Sequence, residues 1–237
     1  MAKVVVVDVG RCVACKQCEI SCAVERGGAG SLVEAARREH PPRPRVRVVA
    51  AGDSAVPVRC AQCDEAPCAA VCPKDALSRP APDGPVVLDV EACIGCGFCT
   101  FVCPYGAIEL APGEKKALKC DACFERTEAG GLPACVEACP TGALAFVADD
   151  DALRRRRREL AESVAARNAS HADEQTGDSK QVACEVCGRD FAPRKLLARL
   201  RTQVPDGVSV PNVCPRCRRA NAAEATAGQP AATTATE

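Results

Sequence analysis

The chain has 237 residues, of which 20 are cysteine, against one methionine, one tyrosine, five phenylalanines and no tryptophan. So few large side chains leave an ordinary hydrocarbon core undersupplied, and no apolar run approaches the roughly 20 residues of a membrane span. Net charge is zero but uneven: residues 1–150 hold 16 basic and 20 acidic side chains and residues 151–219 hold 15 and 9, a net of −4 against +6 that sets a boundary near residue 150.

Taken in chain order, Lys3 to Asp8 is valine-rich and reads as a strand. Its Val4–Val7 run is too short for a secretory h-region and follows no twin arginine, so the expected setting is a reducing cytoplasm, where clustered cysteines point to metal more than to disulfides. Cys12, Cys15, Cys18 and Cys22 follow, then Ala23. The Gly27–Gly30 loop lacks the full G-x-G-x-x-G pattern and no strand runs into it, so it is not read as a nucleotide site. His40, in a polar loop, and His171, in a polar linker, are read as solvated. Arg45 to Ala50 is a second valine-rich strand. Cys60, Cys63, Cys68 and Cys72 come next, and Val86–Leu88 after a Pro-Asp-Gly-Pro turn suggests a hairpin. Two further groups are Cys93, Cys96, Cys99, Cys103 and Cys120, Cys123, Cys135, Cys139.

These groups are a repeat. Cys72, Cys103 and Cys139 each close a Cys-x3-Cys-Pro-x-(Asp/Gly)-Ala-(Leu/Ile) unit preceded by a Cys-x2-Cys pair. The spacer between pair and unit is four, two and eleven residues, and the opening group is a looser copy with alanine in place of proline. A C-x2-C-x2-C loop wraps a cubane iron–sulfur cluster with three thiolates, and Gly95 and Gly97 suit its tight curl. Cys99 and Cys103 are four apart, so Cys103 lies a turn beyond the loop. In bacterial two-cluster ferredoxins such a fourth cysteine ligates the neighbouring cluster. Pro104 ends the turn and covers the cluster without an N–H to satisfy. Four zinc sites or a disulfide framework are the competing readings, but neither needs a third cysteine at fixed offset or a proline after the fourth. Phe98, Phe101 and Tyr105 are read as cover for a cluster.

On these motifs, residues 1–147 resemble the four-cluster ferredoxin-type subunits that accompany molybdenum and tungsten oxidoreductases, formate hydrogenlyase and carbon monoxide dehydrogenase. The stretch LVEAARREHPPRPRVRV (Leu32 to Val48) looks most like the stand-alone, carbon monoxide dehydrogenase-associated branch. The resemblance implies that the first motif pairs with the fourth and the second with the third. Cys12, Cys15, Cys18 and Cys139 would then hold one 4Fe–4S cluster, and Cys120, Cys123, Cys135 and Cys22 its neighbour. Cys60, Cys63, Cys68 and Cys103 would hold a third, and Cys93, Cys96, Cys99 and Cys72 the fourth. The implied protein is not an enzyme but an electron-transfer subunit. It would work under anaerobic conditions, between a catalytic redox subunit and a second donor or acceptor protein. The metal–thiolate bonds would replace the missing core, leaving the metal-free chain largely unfolded.

Beyond Val147 the character changes. Asp149–Asp151 open a helical pattern with Leu153, Leu160 and Val164 on one face and five arginines from Arg154 to Arg158. Those arginines are read as a solvated face, as a docking surface for protein or, least favoured, for nucleic acid. Their charge beside an anionic cluster domain favours docking. Cys184, Cys187, Cys214 and Cys217 form two C-x2-C pairs, read as a zinc ribbon with a rubredoxin-like single-iron site as the alternative. Ala220 onward is Ala/Thr-rich and expected to be disordered. The fold expected is α+β: two dicluster ferredoxin-like modules over 1–150, a basic helical linker over 151–180, a zinc-ribbon- or rubredoxin-like module over 181–219 and a disordered tail over 220–237. The rival reading is a redox-sensing, nucleic-acid-binding protein that uses the basic helix and the ribbon. A reductase reading finds no flavin or pterin site.

Overall fold

The computed structural model describes residues 3–111, 113, 115–169 and 180–229; His171 and the last eight residues lie outside them. Strand pairing is entirely antiparallel and two-stranded among the described residues. β1 (Lys3–Val7) pairs with β8 (Leu144–Ala148), Lys3 opposite Ala148, which ties the two ends of the first 150 residues together. β2 (Arg47–Ala51) and β3 (Ser54–Val58) form a hairpin about Gly52, while β4 (Leu77–Ser78) with β5 (Val87–Leu88) and β6 (Glu109–Leu110) with β7 (Ala117–Leu118) are short ladders. The strands read at Lys3–Asp8 and Arg45–Ala50 and the hairpin at Val86–Leu88 are present within a residue or two.

Each cysteine motif carries a short helix. These are α1 (Gln17–Arg26), α3 (Pro67–Ala70), α4 (Phe98–Val102) and α6 (Ala134–Glu137); α2 (Leu32–Arg37) and α5 (Phe124–Glu128) lie between them. α1 packs on α6 and α3 packs on α4, so the first motif meets the fourth and the second meets the third. α3, α4 and α6 stop just before the cysteine–proline pair, because proline has no N–H and excludes helical backbone at the residue before it. The first copy has Ala23 there, and α1 runs on to Arg26.

The last third is not a separate body. α7 (Asp151–Asn168) is capped by the Asp150 carboxylate, which accepts from the Leu153 amide at 2.8 Å. β9 (Gln181–Ala183) and β10 (Asp190–Pro193) form a hairpin, followed by α8 (Arg194–Arg201) and α9 (Pro215–Ala227). α9 packs on α7, β2 and β3. One hydrophobic core runs from Val56, Phe98 and Ile108 through Val164 to Leu197, Leu200 and Ala223. The expected break near residue 150 is therefore a change of charge within a continuous core. The expected tail is also corrected: Ala220–Ala227 is helical, with Ala222, Ala223 and Ala225 buried. Alanine has the highest helix propensity and lets two helices approach closely, so a segment with little bulk still finds a face to cover.

Candidate metal centres

The repeat fixes backbone as well as ligands. Within the Cys-x2-Cys pairs, the residue before the second cysteine is left-handed in all four copies: Ala14 (φ 57°), Gln62 (52°), Gly95 (68°) and Ala122 (59°). That twist turns amide N–H groups inward. The Gln62 amide donates to Cys60 Sγ at 3.4 Å and the Ala122 amide to Cys120 Sγ at 3.4 Å. The Asp/Gly position after each Cys-Pro is also left-handed, at Asp75 (φ 49°), Gly106 (56°) and Gly142 (64°). After Gly106 the Ala107 amide reaches Cys103 Sγ at 3.4 Å. Amide hydrogen bonds to sulfur stabilise added negative charge and so raise a cluster's potential.

The thiols gather in four sets. Cys60, Cys63, Cys68 and Cys103 line one small void with Val86, Tyr105 and Lys119. Cys72, Cys93, Cys96 and Cys99 line a second with Leu88 and Phe98. Cys135 has Cys120, Cys22 and Cys123 as neighbours, and Cys18 has Cys12 and Cys139. The sets stand in a file: Cys99 lies beside Cys68 and Cys103, Cys120 beside Cys60, and Cys22 shares α1 with Cys18. Burial pushes the thiols of Cys18, Cys68 and Cys120 up to about 12, with neighbouring thiols adding to the effect. Around the two voids burial also makes Cys63, Cys68, Cys99 and Cys103 costly to ionise unaided, which fits a cationic iron core that supplies the missing positive charge. Phe98 and Tyr105 are buried as cover, while half-buried Phe101 faces Phe191 with ring centroids 6.4 Å apart. His40 is exposed.

Reading by cysteine alone misses the buried cations among these sets. Lys119 is buried, and its ammonium donates to Val86 O at 2.6 Å and Cys120 O at 2.8 Å. Burial opposes its charge, but the thiols of Cys60, Cys68 and Cys120 outweigh this and raise its pKa. Arg59 donates to Cys60 O at 2.6 Å, and its Nε is buried without a partner among the described residues. The available signal was a basic residue directly before the first cysteine of three copies: Arg11, Arg59 and Lys119.

At the C-terminal site the sulfurs of Cys184, Cys187, Cys214 and Cys217 lie within 4.8 Å of one another. The first pair sits in the β9–β10 turn and the second on the opening turn of α9. Burial opposes ionisation of Cys184, but amides of Cys214, Cys187 and Val186 lower its thiol to about 7. Such a four-sulfur group can hold a metal ion.

Of the five arginines of α7, Arg154 and Arg157 reach back to the first 150 residues, while Arg155 and Arg158 are exposed. Arg157 donates to Ala61 O at 3.1 Å and Gln62 O at 2.7 Å and pairs with Asp149 at 2.8 Å, while Arg154 pairs with Asp149 and Asp83. Arg157 thus docks on the protein's own second motif, Arg155 and Arg158 keep the expected solvated face, and the nucleic-acid reading is left without support. Among the described residues no helix is long and apolar enough to cross a membrane.

A family model described as a 4Fe-4S dicluster domain matches residues 53–149. The chain is 38% identical over 169 residues to an iron-sulfur protein of Rhodospirillum rubrum, covering 64% of this chain and 87% of the relative. The chain belongs to the 4Fe–4S ferredoxin-type electron-transfer family. It is also 34% identical to the electron transport protein HydN of Escherichia coli K12, over 62% of this chain and 89% of that protein. With the B subunit of anaerobic dimethyl sulfoxide reductase from the same organism it shares 33% identity, over 65% of its own length and 77% of the relative. The family's 4Fe–4S clusters therefore account for cysteines of the repeat.

Proposed function

We propose that this ferredoxin-type protein holds four 4Fe–4S clusters and passes single electrons along them between a catalytic metalloenzyme subunit and a second redox protein. The observation that carries this reading is the file of four thiol sets. In this reading Cys93, Cys96, Cys99 and Cys72 would hold the cluster at one end, Cys60, Cys63, Cys68, Cys103 and then Cys120, Cys123, Cys135, Cys22 the two inside, and Cys12, Cys15, Cys18 and Cys139 the one at the other end. When bound, each cluster supplies a one-electron carrier. The protein's part is to hold the carriers close, exclude water and set their potentials through amide hydrogen bonds and the charges of Arg59 and Lys119.

The ends differ from the middle in a way that suits docking. At one end Val13, between Cys12 and Cys15, is 66% exposed; at the other Ile94, between Cys93 and Cys96, is 58% exposed. The equivalent inner residues, Ala61 and Asp121, are partly covered. An exposed apolar side chain within the cysteine loop that would hold each terminal cluster fits an electron donor at one end and an acceptor at the other. Homology to a dimethyl sulfoxide reductase subunit supports an oxidoreductase as one partner; carbon monoxide dehydrogenase, tungsten or molybdenum oxidoreductases, formate dehydrogenase and hydrogenase share the required chemistry. Zinc is the assignment for the C-terminal site, because two C-x2-C pairs that converge on one point suit a closed tetrahedral ion. An anaerobic reductive titration tests the wire: four electrons taken up per molecule are expected, and two or fewer would overturn it.

A further inference from the structure

Arg218 is completely buried, at 0% exposure. It follows Cys217 directly, yet its guanidinium lies against the third cysteine motif. Nη1 donates to Phe101 O at 2.8 Å and Cys103 O at 2.7 Å, and Nη2 to Thr100 O at 2.8 Å. These are the closing carbonyls of α4, which favour a cation. Nε has no partner among the described residues, and no carboxylate pairs with the group there. A buried charge without a counter-charge is strongly disfavoured. The acidic groups facing it are the thiols of Cys103 on one side and of Cys184 and Cys214 on the other. Both belong to metal-binding sets, which are anionic once loaded.

We propose that Arg218 is a counter-ion shared by the C-terminal metal site and the cluster bound through Cys103, and that its charge raises that cluster's reduction potential. This rests on the reading that Cys60, Cys63, Cys68 and Cys103 hold a 4Fe–4S cluster. Reduction adds one electron and no proton, so the cluster becomes more negative by one, and a fixed cation nearby favours the reduced form. The C-terminal site holds Arg218 in place, because Cys214 caps α9 and Cys217 lies on its first turn. The neighbouring Arg219 adds a second clasp, donating to Gly106 O at 2.8 Å and pairing with Glu109 at 2.7 Å.

The test is an oxygen-free redox titration of the full-length protein followed by electron paramagnetic resonance, in wild type, Arg218→Gln and Arg218→Lys, with iron, sulfide and zinc measured on each. Arg218→Gln is expected to lower one midpoint by at least a tenfold change in the oxidised-to-reduced ratio, about 59 mV for one electron, and to leave the others in place. Arg218→Lys is expected to stay within about twofold of wild type. A glutamine midpoint equal to wild type, or a lysine shift as large as the glutamine shift, would overturn the proposal. If Arg218→Gln loses about four irons while Arg218→Lys keeps them, the charge requirement stands; if both lose them, it falls. Wild-type protein without sulfide would instead defeat the underlying cluster reading.

Discussion

Replacing Gly106 by alanine measures how firmly the C-terminal third is held on the cluster domain. Gly106 has φ +56°, and left-handed backbone costs an L-residue about 1–2 kcal/mol. That part is bearable, since the equivalent Asp75 already sits at φ +49°. The larger effect is steric. A Cβ on Gly106 would lie 2.1 Å from the Pro215 carbonyl oxygen and 3.1 Å from the Arg219 amide. The first turn of α9 must then retreat by about 1 Å to reach ordinary contact. A retreat of that size disrupts the donations from Arg219 to Gly106 O, at 2.8 Å, and from Arg218 to Cys103 O, at 2.7 Å. Hydrogen bonds to charged groups are worth about 1.5–3 kcal/mol each, so local opening of α9 should become easier by about 3 kcal/mol. Hydrogen–deuterium exchange of residues 215–227 in the loaded protein should then accelerate about 100-fold. Gly142→Ala is the control: it has the same left-handed backbone at φ +64°, but its Cβ meets the end of the Arg11 side chain at 3.0 Å. Equal α9 exchange in the two variants would refute the reasoning.

Ala23→Pro, which restores the residue found in the other three copies, should destabilise by about 3 kcal/mol because it falls inside α1; a melting temperature at or above wild type would contradict this. Asp121→Ala removes the carboxylate that pairs with Arg26 and accepts from the Cys123 amide at 2.9 Å. It should cost about 1–3 kcal/mol and speed iron loss to a chelator by tenfold or more; unchanged loss would count against it. Because burial raises Cys18, Cys68 and Cys120 to about 12, the metal-free fold keeps these thiols protonated. That preference favours the metal-free fold below the unfolded thiol value near about 8.5 and fades as pH rises toward 12. Protons therefore compete with iron, and loading should release them and strengthen from pH 7 to pH 9; loading that ignores pH would show the thiols already ionised.

The cluster chemistry was legible because it is local. Three cysteines at fixed offset and a proline after the fourth specify a loop that needs no knowledge of the rest of the chain. The Asp/Gly position before alanine was visible in the repeat, but its left-handed backbone at Asp75, Gly106 and Gly142 came only with the structure. What stayed hidden depends on distant partners. Ala23 reads only as a missing proline, yet its consequence is a longer α1 that brings Arg26 to Asp121. Arg218 sits in a run of charged residues that resembles surface, and its burial follows from carbonyls more than 100 positions away. The same holds for α9: nothing in Ala220–Ala227 announces a buried face until α7 and the β2–β3 hairpin are in place.

The central claim is a four-cluster wire with a distinct C-terminal metal site. The measurement that bears on it most directly is iron, acid-labile sulfide and zinc per molecule on protein purified without oxygen. The account predicts about 16 irons with matching sulfide and one zinc. Zinc throughout with little sulfide would contradict it.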